Sequence, residues 1–238
     1  MIDLHTHVLP NIDDGSSSLE ASLQMVLTAD QMGVRTIVCT PHYEVHGHYQ
    51  VSNEQMDAAL ERLQAALDQH PHQVTLHPGH ELYYHPSLLE RLRQGEVRTL
   101  AGSRYVLLEF STSFFDYELD EILYAYGLYG YQVIVAHVER YPIFEERTLT
   151  MLRSQGALFQ INAETLVSSK YQRKALAWLK SGLLSFVSSD VHEGRTNRLH
   201  EAYALVAKKL GKHYAEAIFV THPQRVIENE AWSDSRKG

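Results

Sequence analysis

Short apolar runs alternate along this chain with longer stretches in which apolar residues recur every three or four positions. The runs are "IDLHTH" (2–7), "TIVCTP" (36–41), "VTLHPG" (74–79), "YVLLEF" (105–110), "QVIVAH" (132–137), "LFQIN" (158–162) and "SFVSSD" (185–190). They are rich in β-branched or aromatic residues and continuous rather than alternating, the mark of parallel strands buried on both faces. Between them the spacing predicts helices. "SSLEASLQMVLTADQMG" sets Leu19, Leu23, Val26 and Leu27 on one face, with a capping box from Ser17 to Glu20 and Gly33 as a stop. "SNEQMDAALERLQAALDQH" offers the same cap with Ser52 and Gln55, and "LDEILYAYGLYG", "FEERTLTMLRSQG", "YQRKALAWLKSG" and "NRLHEAYALVAKKLG" follow. About seven strand–helix units give either a doubly wound sheet or a barrel. The lack of a glycine-rich phosphate loop favours the barrel, and both architectures put chemistry at the C-terminal ends of the strands. No repeat, low-complexity tract or linker interrupts the alternation, so residues 1–238 read as one domain.

Those strand ends carry the residues of interest. "DLHTHVLPNIDDG" (3–15) gives His5 and His7, two apart and so on one face of an extended strand, then Asp13 and Asp14 on the loop. "CTPHY" presents His42, "GHELYY" Glu81, "LLEF" Glu109, "VAHVER" His137, and "SSDVH" Asp190 and His192. Each has an ordinary alternative: Glu109 in an ion pair, His137 packed in the core, Asp190 capping a helix. Together they place an imidazole or carboxylate at six of seven strand ends, where burying such groups without a partner is costly. Mixed nitrogen and oxygen donors suit divalent cations, and nine of them exceed the needs of one ion. The remaining histidines read differently. His77, His80 and His85 look like loop residues, while His46, His48, His70, His72, His200, His213 and His222 look like solvated surface.

Composition narrows the class. The chain has 44% hydrophobic and 21% charged residues, ordinary for a soluble globular protein. No apolar run reaches the length of a membrane helix and no signal peptide precedes the first strand, so membrane insertion is not expected. The single Cys39 excludes an internal disulfide framework, fits a cytoplasmic location, and reads as core. No arginine follows it after five intervening residues, as a cysteine phosphatase requires; Val45 stands there. A formal charge of −8 argues against nucleic acid as a partner. Neither a Gly-x-Ser-x-Gly elbow nor a Walker loop is present.

"DLHTH", "TPH", "AHVERY" and "SSDVH" resemble the four motifs of the PHP (polymerase and histidinol phosphatase) superfamily. "DLHTHVLPNIDDGSSSLEAS", "TPHY", "PGHELYY", "LLEF" and "AHVERYP" are similar to its CpsB/CapC branch, the manganese-dependent bacterial tyrosine-protein phosphatases of capsule and exopolysaccharide systems. The likeness runs from Met1 to about Arg225. It implies a distorted (β/α)7 TIM-like barrel with three divalent ions, manganese first and iron, cobalt or zinc as alternatives. By that pattern His5, His7, Glu81 and Asp190 hold one ion, Glu81 bridges to a second with Glu109 and His137, and Asp14, His42 and His192 hold the third. A metal-bridging hydroxide would then attack the phosphorus. The family's phosphate-binding arginines map onto Arg140 and Arg195, with Arg198 kept in play because "HEGR" is about two residues shorter than the usual spacing. Arg140 has an alternative as an ion pair with Glu139 or Glu145. The implied substrate is the phosphorylated tyrosine-rich tail of a membrane-associated tyrosine kinase, with Tyr83 and Tyr84 stacking on its ring. A histidinol-phosphate phosphatase, a nuclease, or an inactive metal-binding kinase partner would share the ligand set.

Overall fold

The β-branched runs become strands because both of their faces are covered. A computed structural model describes residues 1–113, 119–168, 170–234 and 236. The strands are β1 (Ile2–Thr6), β2 (Thr36–Cys39), β3 (His42–Tyr43), β4 (Thr75–Pro78), β5 (Glu81–Tyr83), β6 (Tyr105–Glu109), β7 (Gln132–Val135), β8 (Leu158–Asn162) and β9 (Phe186–Ser188). β2 and β3 form one course parted at Thr40 and Pro41, where proline has no N–H to give the ladder; β4 and β5 form another, parted at Gly79 and His80. Every pairing is parallel: β1 with β2, β2 with β4, β3 with β5, and β5 through β9 in sequence. A parallel bridge between Thr6 and Val191 joins the last course to the first. Across that seam the His7 N–H donates to the Val191 carbonyl at 3.1 Å and the Asp190 N–H to the His5 carbonyl at 2.9 Å. Seven courses therefore curl into a TIM-like barrel, the fold expected from the alternation.

Two apolar cores follow from the geometry. Leu4, Val38, Leu107, Ile134 and Phe186 are among the side chains filling the barrel, and a larger set packs the strands against the surrounding helices. The main helices are α1 (Leu19–Gln31), α2 (Asn53–Leu67), α4 (Leu119–Leu128), α5 (Glu146–Ser154), α7 (Gln172–Lys180) and α8 (Leu199–Leu210). At α2 the expected capping box forms in full: the Gln55 N–H donates to Ser52 Oγ, and the Ser52 N–H to Gln55 Oε1. At α1 it does not. Ser18 is the cap, its Oγ accepting from the Ala21 N–H at 3.1 Å, because the Ser17 N–H is held by Glu193 Oε2 at 2.7 Å. The short helices α3 (Leu88–Arg93), α6 (Ala163–Val167), α9 (Lys212–Glu216) and α10 (His222–Ile227) lie outside the elements the periodicity predicts.

The C-terminal segment closes the N-terminal mouth of the barrel. His222 is buried rather than solvated as expected: its Nδ1 donates to the Ser185 carbonyl at 3.0 Å, and its ring packs edge-on against Trp232. Trp232 also meets Phe186, and Tyr105 donates to the Glu230 carbonyl at 2.7 Å. His80 is likewise buried, its ring bonded to the Val51 carbonyl and the Arg98 N–H. No helix among the described residues is long and apolar enough to cross a membrane.

Candidate metal centre and adjoining cleft

All nine candidate ligands meet at the opposite, C-terminal mouth. β1 carries a register shift between Asp3 and Thr6; such bulges re-aim side chains, and beyond it His5 Nε2 and His7 Nε2 lie 3.2 Å apart. Three groups have ligand atoms within 4.8 Å of one another: His5, His7, Glu81 and Asp190; His7, Asp14, His42 and His192; His42, Glu81 and Glu109. His137 Nε2 lies 2.8 Å from Glu81 Oε1 and 3.5 Å from Glu109 Oε1. Glu81 is thus the hub, on β5, with histidines from β1, β3 and the end of β7 around it.

The residues present fit divalent cations. Glu81 Oε2 is buried and makes no hydrogen bond, although His5 Nε2, His7 Nε2 and His42 Nδ1 lie 3.1, 3.2 and 3.0 Å away. Three ring nitrogens crowd one carboxylate oxygen without hydrogen-bond alignment, which a shared cation would satisfy. The far ring nitrogens support this. His7 Nδ1 is 2.8 Å from Asp13 Oδ2, His5 Nδ1 is 3.3 Å from Gln160 Oε1, and His192 Nδ1 is 3.0 Å from the Asp190 carbonyl. With each Nδ1–H donating to an acceptor, the Nε2 lone pairs turn inward, the arrangement typical of metal-ligating histidine. The electrostatics carry the same tension. Burial disfavours charge on Glu81, yet His5, His137 and His42 hold its carboxyl well below the usual range. Burial and then the Glu81 charge push Glu109 up to about 7.

Backbone strain sits at the same place. His137 and Asp190 have φ of 29° and 51° without being glycine, each costing on the order of 1–3 kcal/mol. Gly15 is required for a different reason: a Cβ there would fall 2.1 Å from the His7 carbonyl oxygen, so only glycine lets the loop carrying Asp13 and Asp14 fold onto β1.

Several supporting residues escape the sequence reading. Asp13, raised but given no role, orients His7 and accepts from the His42 and Gly15 N–H groups. Gln160 Oε1 accepts from the His137 N–H at 2.6 Å, its amide donates to Asn162 Oδ1, and Asn162 donates to Asp190 Oδ2 at 2.8 Å. Tyr141 hydroxyl accepts from the Phe110 N–H and lies 3.3 Å from His137 Nδ1. The available signal was Gln160 and Asn162 themselves, polar residues inside the buried "LFQIN" run.

A cleft of about 660 Å³ opens beside the centre, lined by Arg140, Asn162, Tyr171, Asp190 and Arg195 among others. Arg140 donates to Asp190 Oδ2. It does not take Glu139 as partner: Glu139 Oε1 instead accepts from the Asn162 N–H and Thr165 Oγ1, each at 2.9 Å. Arg198 is turned toward Glu201 and Glu164, whereas Arg195 lines the cleft. Tyr83 and Tyr84 do not line it; Tyr84 packs against Phe110 and borders a separate groove with Leu89 and Ile122. Cys39 is fully buried, and burial raises its thiol pKa, which suits core rather than chemistry.

Against known proteins, the family profile described as capsular polysaccharide synthesis, CpsB/CapC, matches residues 1–228. The tyrosine-protein phosphatase CpsB of Streptococcus pneumoniae is 30% identical over 242 residues, spanning 97% of this chain and 99% of that protein. The tyrosine-protein phosphatase YwqE of Bacillus subtilis (strain 168) is 29% identical over 218 residues, spanning 89% and 85%. A crystal structure from the work on YwqE and CpsB, described as metal-dependent tyrosine phosphatases, superposes with a TM-score of 0.91 at 26% identity, covering 98% of this chain and 96% of that one.

Proposed function

Because the chain belongs to the CpsB/CapC capsular polysaccharide synthesis family, we propose that it is a metal-dependent protein-tyrosine phosphatase, a hydrolase of phosphotyrosine monoesters. The observation that carries this reading is the orphaned Glu81 Oε2 among three ring nitrogens, beside a cleft lined by two arginines.

In this reading the centre takes three divalent ions, manganese first. His5, His7, Glu81 and Asp190 hold one; Glu81, Glu109 and His137 a second; Asp14, His42 and His192 the third. Bound there, divalent ions lower the pKa of a water toward neutrality and screen the charge of the phosphate. The chain's own residues do the rest. Asp13, Gln160 and the Asp190 carbonyl fix the tautomers of His7, His5 and His192, so that each ring keeps an inward lone pair. Arg140 reaches the phosphate from the Asp190 side and Arg195 from across the cleft, both placing donors on non-bridging oxygens as charge develops. A tyrosine phenolate leaves readily, its conjugate acid having a pKa of about 10, so assistance by a strong acid is not required.

The substrate proposed is a phosphotyrosine-bearing protein, specifically the flexible tyrosine-rich tail of a membrane-associated tyrosine kinase that governs polysaccharide export from the cytoplasmic side. The test compares turnover of a phosphotyrosine peptide, histidinol phosphate and single-stranded DNA, before and after chelation and with Mn²⁺ restored. Metal-dependent turnover confined to the phosphotyrosine peptide is expected. Full activity in a metal-free sample, or preference for another substrate, overturns the reading.

A further inference from the structure

The cleft beside the metal centre has a half-exposed aromatic side chain at its edge, met by one exposed lysine. Tyr171 is 47% exposed. Of the five large hydrophobic residues exposed to this degree among the described residues, Tyr124, Leu128, Tyr129 and Met151 belong to α4, the turn after it, and α5. Tyr171 alone of them lines the cleft. Its backbone is anchored at the start of α7, its N–H donating to the Ser168 carbonyl at 3.2 Å while the Gln172 N–H takes the same oxygen at 2.9 Å. The contact recorded for its ring is the Lys170 ammonium, 4.8 Å from the centroid, an exposed cation on a flexible stem that an incoming group displaces at little cost.

We infer that Tyr171 is the positioning residue that receives the phenyl ring of the substrate's phosphotyrosine. The inference rests on the phosphatase reading and deepens it. A phosphate held by Arg140 and Arg195 beside the metal centre projects its ester oxygen into the cleft those two residues share with Tyr171, and an aryl ring attached there meets an aromatic surface. An alkyl phosphate such as phosphoserine has no ring to offer. Offset or edge-on ring pairs add enough binding to shift an affinity about 3- to 10-fold, so the wall contributes selectivity for aryl esters through binding rather than through the chemical step.

The experiment measures steady-state kinetics of the manganese-loaded protein on a phosphotyrosine peptide, with inorganic phosphate as a competitive inhibitor, for the unaltered chain, Tyr171→Ala and Tyr171→Phe. Tyr83→Ala and Tyr84→Ala run beside them. The expected result is a KM about 10-fold higher in Tyr171→Ala, with kcat, manganese content and the phosphate inhibition constant unchanged, and recovery of KM in Tyr171→Phe. An unshifted KM in Tyr171→Ala overturns the inference. So does a parallel rise in KM and in the phosphate constant, which marks a structural role, or a KM effect found in the Tyr83 or Tyr84 variants instead. No turnover of the peptide by the unaltered, manganese-loaded protein overturns the phosphatase reading itself, and this inference with it.

Discussion

At the N-terminal mouth of the barrel, His222 gives its Nδ1–H to Ser185, Arg236 reaches the Leu184 and Gly182 carbonyls, and Asp234 pairs with Arg236. At the C-terminal mouth, His5, His7, His42 and His137 turn toward one carboxylate whose buried oxygen bonds to none of them. Both ends bury imidazole and charge, yet among the described residues only the C-terminal mouth turns several ring nitrogens on a carboxylate oxygen that no hydrogen bond satisfies. Where hydrogen bonds close on one another, buried polarity holds a plug in place. Where donors are arrayed around a point, the same chemistry is a receptor for something the chain does not itself supply.

The difference can be broken from the rim side first. Asp190→Ala removes a candidate ligand that also pairs with Arg140, so bound metal is expected to fall and turnover to drop to that of the chelated protein; metal analysis by mass spectrometry beside the kinetics checks it. Arg140→Ala is expected to lose about 10²-fold in kcat with metal content intact, the scale of removing one preorganised donor. Metal loss in that variant comparable to Asp190→Ala would make Arg140 structural. Asp13→Ala frees the tautomer and orientation of His7 and takes the acceptor from the His42 and Gly15 N–H groups, and manganese affinity is expected to fall about 10- to 100-fold, read by titration of the metal-free protein.

Changes at the closed mouth sharpen the contrast by doing the reverse. Trp232→Ala removes the ring between His222, Phe186 and the Arg153 guanidinium. It is expected to lower stability by about 2 kcal/mol in denaturant unfolding, with metal affinity and kcat of the folded protein unchanged. The last contrast is read in acid. Burial is the main cause that lowers the His222 pKa to about 4, with Arg236 and Arg153 also disfavouring its charge against the Ser185 bond and Asp234. The unfolded chain takes a proton near pH 6.5, so it binds more protons than the folded chain below that point, and stability is lost as pH falls from about 6.5 toward 4. Unfolding midpoints across this window should fall less steeply in His222→Gln than in the unaltered chain.

The rim was legible in the sequence and the closed mouth was not, for a physical reason. Parallel strands must be continuous apolar runs, so a His, Asp or Glu ending such a run is conspicuous, and all nine candidates lie together at one mouth. The helices α3, α6, α9 and α10 are five or six residues long; so short a segment completes no hydrophobic period and owes its shape to packing. His222 looked solvated because it ends no strand-like run, whereas its shelter comes from Trp232 and Ser185 across the fold. Gln160 was given no role because its partners His5 and His137 lie far along the chain and leave no mark on local pattern. At α1 the cap moved from Ser17 to Ser18 because Glu193, far along the chain, claims the Ser17 N–H.

The left-handed backbone at His137 and Asp190 bears on how this protein responds to selection. Glycine relieves the main-chain strain at either position, but at 190 it strips Arg140 and Asn162 of their acceptor, and at 137 it strips Glu81 of a ring partner. A laboratory population screened for heat tolerance alone weighs only that balance of strain against lost bonds, and is blind to whether the side chains at 137 and 190 are kept for chemistry. Melting temperature is a misleading proxy for fitness here, and a library built on this chain has to be sorted on turnover before it is sorted on heat.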